Sequence, residues 1–164
     1  MKTLTKANFR DVPWKNGGGT TQELYRIEGL DQQLLFRLSV ARIESDGPFS
    51  EFPGMDRILL ILKGAGVKLN DTVLKAGERP YHFAGETKID CRLIENKVQD
   101  FNVMTARNWG EAKIKVIKRP IRIGGKGQTY AYSTDAQTLW VLDGEETYDW
   151  NGTGKLLIVT LTLK

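Results

Sequence analysis

The stretch that decides the fold is Ile58–Thr87, which reads ILLILKGAGVKLNDTVLKAGERPYHFAGET. It joins short apolar runs through turns that contain Gly64, Gly77 and Gly85. Runs of this length, rich in aliphatic, β-branched and aromatic residues and bounded by glycine, are typical of β-strands. The stretch therefore predicts a succession of short strands and no helix.

The strand predicted at Arg57–Lys63 shows what its two faces do. Successive side chains of a strand point to opposite faces of the sheet. One face is wholly aliphatic and consists of Ile58, Leu60 and Leu62. The other face begins with Arg57, whose guanidinium we expect at the rim of the fold.

The same criteria predict eight further strands, and almost no segment has apolar residues at helical spacing. Without a credible crossover helix, a closed antiparallel barrel or sandwich is the economical architecture. The further predicted strands are Leu34–Ile43, Gly66–Asn70, Ile89–Ile94, Phe101–Thr105, Ala112–Lys118, Thr129–Ser133, Leu139–Leu142 and Lys155–Leu163.

Two segments repeat one pattern, an apolar strand, one charge and a glycine that we expect to open a hairpin. They are Ile58–Gly64 and Leu139–Gly144. The repeat indicates two related β units in tandem. We therefore predict a barrel with a ligand pocket in residues 1–110 and a C-terminal β unit packing on it in residues 111–164. A single compact domain is the open alternative.

Composition excludes several classes of function. The 164 residues carry 24 basic and 20 acidic side chains, and these are scattered, which argues against nucleic acid as the partner. No aliphatic run approaches the roughly 20 residues of a membrane-spanning helix. A single cysteine, Cys91, cannot form an internal disulfide, and no signal peptide is evident, so we expect the cytoplasm.

The strand and turn order of Ile58–Thr87 resembles the central part of a cupin, including the Leu74–Glu78 turn motif. Metal-binding cupins carry a His-x-His pair and a carboxylate before this stretch and a further histidine after it. The corresponding segments here, Gly47–Arg57 and Gly85–Lys88, contain no histidine. Because His82 alone cannot supply a set of imidazole ligands, we expect a cupin-like (RmlC-type) fold without metal or other cofactor.

Four further segments together resemble the HutD/Ves family, over roughly residues 4–118. They are Pro13–Glu23 (PWKNGGGTTQE), Arg37–Ala41 (RLSVA), Ser45–Arg57 (SDGPFSEFPGMDR) and Asp100–Thr105 (DFNVMT). The C-terminal third matches weakly and is shorter than in typical members, so the resemblance does not establish the second half of a bicupin. A compact bicupin with a truncated second half is one open interpretation. The resemblance implies a cytosolic bacterial protein linked to histidine utilisation in the HutD branch or to stress response in the Ves branch.

For the HutD branch, the resemblance further implies a metabolite such as formylglutamate or urocanate as ligand, and no established catalytic activity. On its own, the sequence favours a protein that binds a small polar or anionic metabolite. Two alternatives stay open, an interaction scaffold that forms a homodimer and a metal-independent acid/base enzyme. In the enzyme, His82, Glu23 or Asp46 would carry the proton.

Glycines cluster between Trp14 and Glu23. Three consecutive glycines permit positive φ and could bring backbone N–H groups close to an anion. Lys15, Asn16 and Thr20 add a charge, an amide and a hydroxyl, and Gly18 lies at the centre. The alternative is a plain turn between strands with Trp14 packed in the core.

Polar residues interrupt two apolar strands at alternate positions. Arg37 and Ser39 share one face of the first, and a buried guanidinium there would need a carboxylate, for which Glu23 is a candidate. Asp100, Asn102 and Met104 share one face of the second. An inward orientation of both faces would build a polar pocket, and a solvent-facing edge is the alternative.

The remaining candidates lie in turns or between aromatic residues. Asp46 and Asp56 flank two proline and glycine turns that would fix the entrance of a barrel. His82, between Tyr81 and Phe83, is expected to be a packed structural residue rather than a general base, and Cys91 a small buried hydrophobe. The predicted ligand-binding residues are Trp14, Lys15, Asn16, Gly18, Thr20, Glu23, Arg37, Ser39, Asp46, Arg57, Asn102 and Met104.

Overall fold

The computed structural model describes residues 1–77 and 79–164, so Glu78 of the predicted turn motif lies outside the described residues. One short 3-10 helix, Lys6–Asn8, is present among the strands. The strands are β1 Lys2–Leu4, β2 Arg10–Pro13, β3 Gly19–Glu28, β4 Leu34–Ile43, β5 Gly47–Pro48, β6 Met55–Lys63, β7 Val67–Leu69, β8 Thr72–Leu74, β9 Tyr81–Ala84, β10 Asp90–Leu93, β11 Val98–Ala106, β12 Gly110–Ile117, β13 Ile121–Gly124, β14 Gln128–Ser133, β15 Thr138–Leu142, β16 Thr147–Trp150 and β17 Leu156–Leu163.

The predicted all-β, antiparallel fold is confirmed. Each of the nine predicted strands is present, and Leu34–Ile43 has the predicted bounds. Every strand pairing described is antiparallel. Among the described residues no helix is long and apolar enough to cross a membrane.

The chain forms two compact units. The first, here called the pocket unit, is Arg10–Asn108. The second unit combines Met1–Phe9 with Trp109–Lys164, because β1 pairs with β15. The division near residue 109 falls close to the predicted boundary, and the first nine residues belong with the C-terminal part. That residues 111–164 are a truncated second cupin half stays a prediction.

The pocket unit is built from two sheets. The larger has six strands in the order β2-β3-β4-β11-β6-β9, and the smaller has four in the order β5-β10-β7-β8. Apolar side chains from both sheets meet in one core. Removing apolar surface from water in this way stabilises the fold by about 25 cal/mol per Å². The buried members are Ile43, Leu59, Ile61, Val67, Leu69, Leu74, Ile89, Cys91 and Val98.

Strand β11 sets the register of the six-stranded sheet, since it lies between β4 and β6. Its residue Met104 pairs with Arg37 on one side and with Arg57 on the other. Asn102 likewise lies between Ser39 and Leu59. Because paired residues point to the same face, one end of this face is polar while the end near Ile43 and Val98 is apolar.

The second unit has a five-stranded sheet in the order β1-β15-β14-β17-β12 and a two-stranded sheet of β13 and β16. Strands from both contribute to its core, and Trp140 stacks on Tyr148 with ring centroids 5.0 Å apart. The buried members of this core are Ile123, Ala131, Leu142, Trp150, Leu156 and Ile158.

Neither glycine of the repeated pattern opens a hairpin, so that prediction is wrong. After Gly64 the chain leaves β6, which pairs with β11 and β9, and enters β7, which pairs with β10 and β8. After Gly144 it likewise passes from β15 to β16, which pairs with β13. Positive φ angles, 101° at Gly64 and 58° at Gly144, turn the chain from one sheet into the other.

Strand β3 is ten residues long and was missed by the sequence patterns. The register of β3 against β4 shifts between Glu23 and Tyr25, which marks a β-bulge. A bulge breaks the alternation of period two on which strand prediction depends. Thr21 and Glu23 before the bulge, and Arg26 and Glu28 after it, consequently line one cavity although their spacing does not alternate.

Gly85 fixes the loop that precedes β6. Its N–H donates to the Met55 carbonyl at 2.7 Å, and its own carbonyl accepts from the Phe52 N–H at 2.8 Å. A Cβ at this position would lie 2.1 Å from the Phe52 carbonyl oxygen, which belongs to the backbone and cannot swing aside. Glycine is thus required by close approach.

We expect Gly85→Ala to lower the free energy of unfolding by at least about 2 kcal/mol, because overpacking displaces backbone. Denaturant unfolding measures the change. Gly47→Ala on β5 is the control, since its Cβ would meet only the Asn16 amide at an ordinary 3.7 Å. Equal stability of the two variants would contradict the close contact.

Candidate functional site

A cavity of about 880 Å³ opens at the polar end of the pocket unit. Strands β2, β3, β4, β6 and β11 supply its walls, and the loops around Lys15 and Ser50 supply the rest. Its lining residues are Arg10, Val12, Pro13, Trp14, Lys15, Asn16, Thr21, Glu23, Arg26, Glu28, Arg37, Ser39, Ala41, Pro48, Phe49, Ser50, Phe52, Arg57, Asp100 and Asn102.

Arg57 lies in the cavity wall and is only 7% exposed, so its predicted position at the rim is wrong. It is the third residue of β6, where pairing with Met104 of central β11 turns its side chain inward. Burial lowers the pKa of Arg57 to about 10, and the charge of nearby Asp100 opposes that effect. The guanidinium remains charged at neutral pH.

Aromatic rings surround the Arg57 guanidinium. Its central carbon lies 4.8 Å from the ring centroid of Phe83, 5.3 Å from Phe52 and 5.6 Å from Phe49. Cation–π attraction holds the group in place while the rings exclude water. One Nη donates weakly to the Ser50 carbonyl at 3.3 Å, whereas the buried Nε has no hydrogen-bond partner.

Arg37 lies beside this cage and shares the ring of Phe52, at 5.3 Å from its centroid. Its Nη2 donates to the sulfur of Met104 at 3.2 Å, a weak acceptor, and its buried Nε also has no partner. Burial is the main cause that lowers the pKa of Arg37, while the charge of Glu23 raises it.

Asp100 is the buried acid of the site, at 1% exposure. Its Oδ1 accepts from the Asn102 amide at 2.5 Å, and Asn102 Oδ1 accepts from Arg57 Nη2 at 3.4 Å. The amide therefore links carboxyl and guanidinium. Burial raises the pKa of Asp100 to about 7, although the charge of Arg57 and a backbone hydrogen bond from Ala41 lower it.

The cavity is more positive than its acids can balance. Five basic side chains and three acidic ones line it among the described residues. Glu23 makes its ion pair with Arg26 at 3.5 Å, and Glu28 lies 2.5 Å from the same guanidinium. The proposed pairing of Glu23 with Arg37 is therefore limited to electrostatic attraction without an ion-pair contact. The guanidiniums of Arg37 and Arg57 each retain an Nε donor without a hydrogen-bond partner.

The structure brings most of the predicted ligand-binding residues to this cavity. Trp14, Lys15, Asn16, Glu23, Arg37, Ser39, Arg57 and Asn102 line it.

Four of the predicted residues do not line it. Gly18 is a turn residue, and Thr20 points away because its neighbour Thr21 faces the cavity. Asp46 is exposed and accepts from the Leu93 N–H at 2.8 Å. Met104 is fully buried beneath Arg37.

The glycine segment is a tight turn between β2 and β3, and two of its amides, those of Gly17 and Gly18, are occupied. Gly17 N–H donates to the Trp14 carbonyl at 3.0 Å, and Gly18 N–H to the Asn16 side chain at 2.9 Å. They are therefore not free to cradle an anion. Trp14 packs against the core and donates to the Thr21 hydroxyl at 2.8 Å.

Of the two remaining predictions, the one for His82 is wrong and the one for Cys91 is confirmed. His82 is exposed on β9, with its neighbours Tyr81 and Phe83 packed against the core, so its expected packing is wrong. Cys91 is buried as predicted, and burial raises the pKa of its thiol to about 12.

Sequence patterns missed several lining residues, above all Phe49, Phe52, Arg26 and Arg10. Asp100 drew notice as part of its strand face but was left out of the predicted site. The signal available in the sequence was an acidic residue two positions before Asn102, on the same face of the strand. The two phenylalanines sit in a loop with no periodicity, so only the folded chain shows that they face Arg57.

The residues of this cavity do not fit the divalent metal of metal-binding cupins. Such a site needs converging imidazole or carboxylate ligands, and here two guanidiniums lie beside one deep carboxyl. Among residues 1–77 and 79–164, no group of three or more His, Cys, Asp or Glu side chains could hold a metal ion.

The fold and the cavity define a cupin-like β protein with an arginine-rich pocket. The HutD family model matches residues 6–157, and the chain belongs to this family. The match extends through the C-terminal part that resembled the family only weakly.

Three relatives illustrate the similarity. Protein Ves of Escherichia fergusonii is 32% identical over 92% of this chain and 90% of its own. An uncharacterised 21.2 kDa protein of Pseudomonas putida, named for its place 3′ of hutC, is 37% identical over 70% of this chain. That alignment spans 63% of the relative. The solved HutD of Pseudomonas fluorescens SBW25 superposes with a TM-score of 0.85, at 25% identity, covering 99% of this chain and 98% of that one.

We expect Asp100→Asn to stabilise the protein more at about pH 8 than at about pH 5. The pKa of Asp100 in the folded state, about 7, exceeds its value in the unfolded state. At a pH between these two values the folded state holds a proton that the unfolded state has lost. Wild-type stability therefore falls as the pH rises from the lower value to the higher one. The difference between the two pH values should be on the order of 2–4 kcal/mol.

Denaturant unfolding of both proteins at the two pH values measures this difference. Asp71→Asn, at an exposed turn residue, is the control and should change stability by a similar small amount at both. A pH-independent effect of Asp100→Asn would show that the Asp100 carboxyl is not held protonated by burial.

Proposed function

We propose that the pocket unit binds a small carboxylate-bearing metabolite, with the Arg57 and Arg37 guanidiniums as its anchors. The protein acts in this proposal as a binding protein that modulates histidine utilisation or a stress response. The observation that carries it is the pair of buried Nε atoms, one on each arginine, that lack any hydrogen-bond partner and belong to groups lining the same cavity.

Buried cationic donors without partners are costly. An unsatisfied buried donor costs about 1–3 kcal/mol, and more when the group is charged. Neither guanidinium makes an ion pair with Asp100 or Glu23 within 4.0 Å among the described residues. A carboxylate satisfies such a group through two parallel hydrogen bonds and cancels its charge, so this ligand chemistry fits the arginines best.

The size and walls of the cavity favour a small organic anion over an inorganic one. A volume of about 880 Å³ lies in the range of small-molecule sites, roughly 300–1,000 Å³. Trp14, Phe49 and Phe52 provide apolar surface for a carbon skeleton. Polar groups at Ser39 and Asn102 can orient amide, hydroxyl or ring nitrogen atoms.

Family membership narrows the candidates. The names of two relatives, HutD and the protein 3′ of hutC, refer to hut genes, and a third relative is named Ves. N-formylglutamate and urocanate both carry carboxylates together with nitrogen groups. We therefore propose them as the first ligands to test.

We expect at least one carboxylate from a panel of N-formylglutamate, urocanate, glutamate and histidine to raise the melting temperature of the purified protein. A ligand at a hundredfold over its Kd stabilises by about 2.7 kcal/mol. Arg57→Gln and Arg37→Gln should each weaken binding about tenfold or more, because each removes a charge-assisted hydrogen bond. Thermal-shift titration of each variant measures the affinity.

Arg122→Gln is the matched control, because it removes the same charge from an exposed guanidinium paired with Asp149 in the second unit. It should bind as the wild type does. An equal loss in all three variants would indicate a general effect of net charge, and no stabilisation by any carboxylate would refute the proposal.

A further inference from the structure

We infer that Asp100 adjusts its charge to the charge of the ligand: a dicarboxylate binds with uptake of a proton by Asp100, and a monocarboxylate binds with less uptake. The inference rests on the proposed carboxylate-binding function and deepens it. It makes Asp100 a specificity-determining residue of the same cavity.

The position of Asp100 allows it to respond to a ligand. It lines the cavity, is fully buried on central β11, and lies one amide away from the Arg57 guanidinium. The link through Asn102 replaces a direct ion pair, since no bridge within 4.0 Å joins Asp100 to an arginine among the described residues. The Asp100 carboxyl is thus close enough for the charge of Arg57 to affect its pKa, although the two groups make no direct ion pair.

The charged groups around Asp100 come from four other strands. Arg57 faces it from β6, and Arg37 of β4 acts on Arg57 through charge repulsion. Cys91 of β10 lies near but stays neutral, because its thiol pKa is raised to about 12. Glu23 of β3 faces Arg37 and is paired with Arg26. Asp100, whose pKa is about 7, is therefore the group at this end that can change charge near neutral pH.

Charge balance then depends on the ligand. With Asp100 ionised, the two guanidiniums are balanced by Asp100 and one ligand carboxylate. A second ligand carboxylate places an extra negative charge near Asp100, which is itself 1% exposed, and like charges raise the pKa of a carboxyl. Protonation of Asp100 removes this repulsion and restores the balance of two charges of each sign.

The sign of the pH dependence follows. A dianion raises the pKa of Asp100 above its value in the free protein, so binding takes up a proton between the two values. Affinity for the dianion is therefore highest at low pH and falls, by up to about tenfold per pH unit, as pH rises from the free pKa toward the bound pKa. Affinity for a monoanion should fall less steeply, because it brings one negative charge instead of two.

Glutarate and its monoamide glutaramate test this, because they share a skeleton and differ by one charge. Isothermal titration calorimetry at about pH 6.5 and 8.5, in two buffers of different ionisation enthalpy, gives affinity and proton uptake together. We expect glutarate to bind about tenfold or more weakly at the higher pH. It should take up most of one proton at about pH 8.5 and only a minor fraction at about pH 6.5, where Asp100 is already mostly protonated. Glutaramate should show a smaller change in affinity and a smaller uptake at both.

Asp100→Asn should remove the pH dependence for glutarate and keep its tight binding at the higher pH. The proton count of the wild-type protein tests the inference independently of this variant. Glutarate that binds equally at both pH values without proton uptake, or a protein that binds monocarboxylates alone, would overturn the inference and leave carboxylate binding intact. Failure of glutarate, glutaramate and the whole metabolite panel to bind at either pH would overturn both.

Discussion

The guanidinium of Arg57 carries its charge into the protein, where only 7% of the residue is exposed. Taking a cation out of water costs several kcal/mol unless other groups replace the lost hydration. Three phenylalanine rings, the Ser50 carbonyl and the Asn102 amide replace part of it. The Nε stays without a partner, so the hydration of this cation is not fully replaced. A ligand carboxylate in the cavity can offset the remaining cost by balancing the charge of the guanidinium as a whole.

Strand pairing determines the position of the Arg57 guanidinium. Residues that pair across strands point to the same face, so Arg37, Met104 and Arg57 form one row across β4, β11 and β6. The row at the other end of the same strands is apolar and joins the core. A slip of one residue would turn both arginines to the opposite face. The apolar end therefore fixes the register that holds the polar end in place.

A common fold carries different chemistry here from that of metal-binding cupins. The cavity is lined by guanidiniums, an amide and a carboxyl whose pKa burial raises to about 7, and not by a set of imidazoles. Guanidiniums bind anions directly, whereas imidazoles bind a metal that in turn binds the substrate. Membership of the HutD family thus describes a shared fold, and the side chains of the cavity determine which ligand chemistry that fold can support.

Sequence by itself determined the strands that alternate regularly and the polar faces they carry. Arg37, Ser39 and Asn102 could be assigned to a pocket because the alternation of side chains along a strand can be read from the sequence of that strand alone. The bulge in β3, the burial of Arg57 and the ring positions of Phe49 and Phe52 were decided only by the tertiary structure. A bulge resets the alternation, and burial depends on whether a strand is central or at an edge. The position of a loop depends on contacts far away in sequence, such as the Phe52 to Gly85 hydrogen bond, which no local pattern contains.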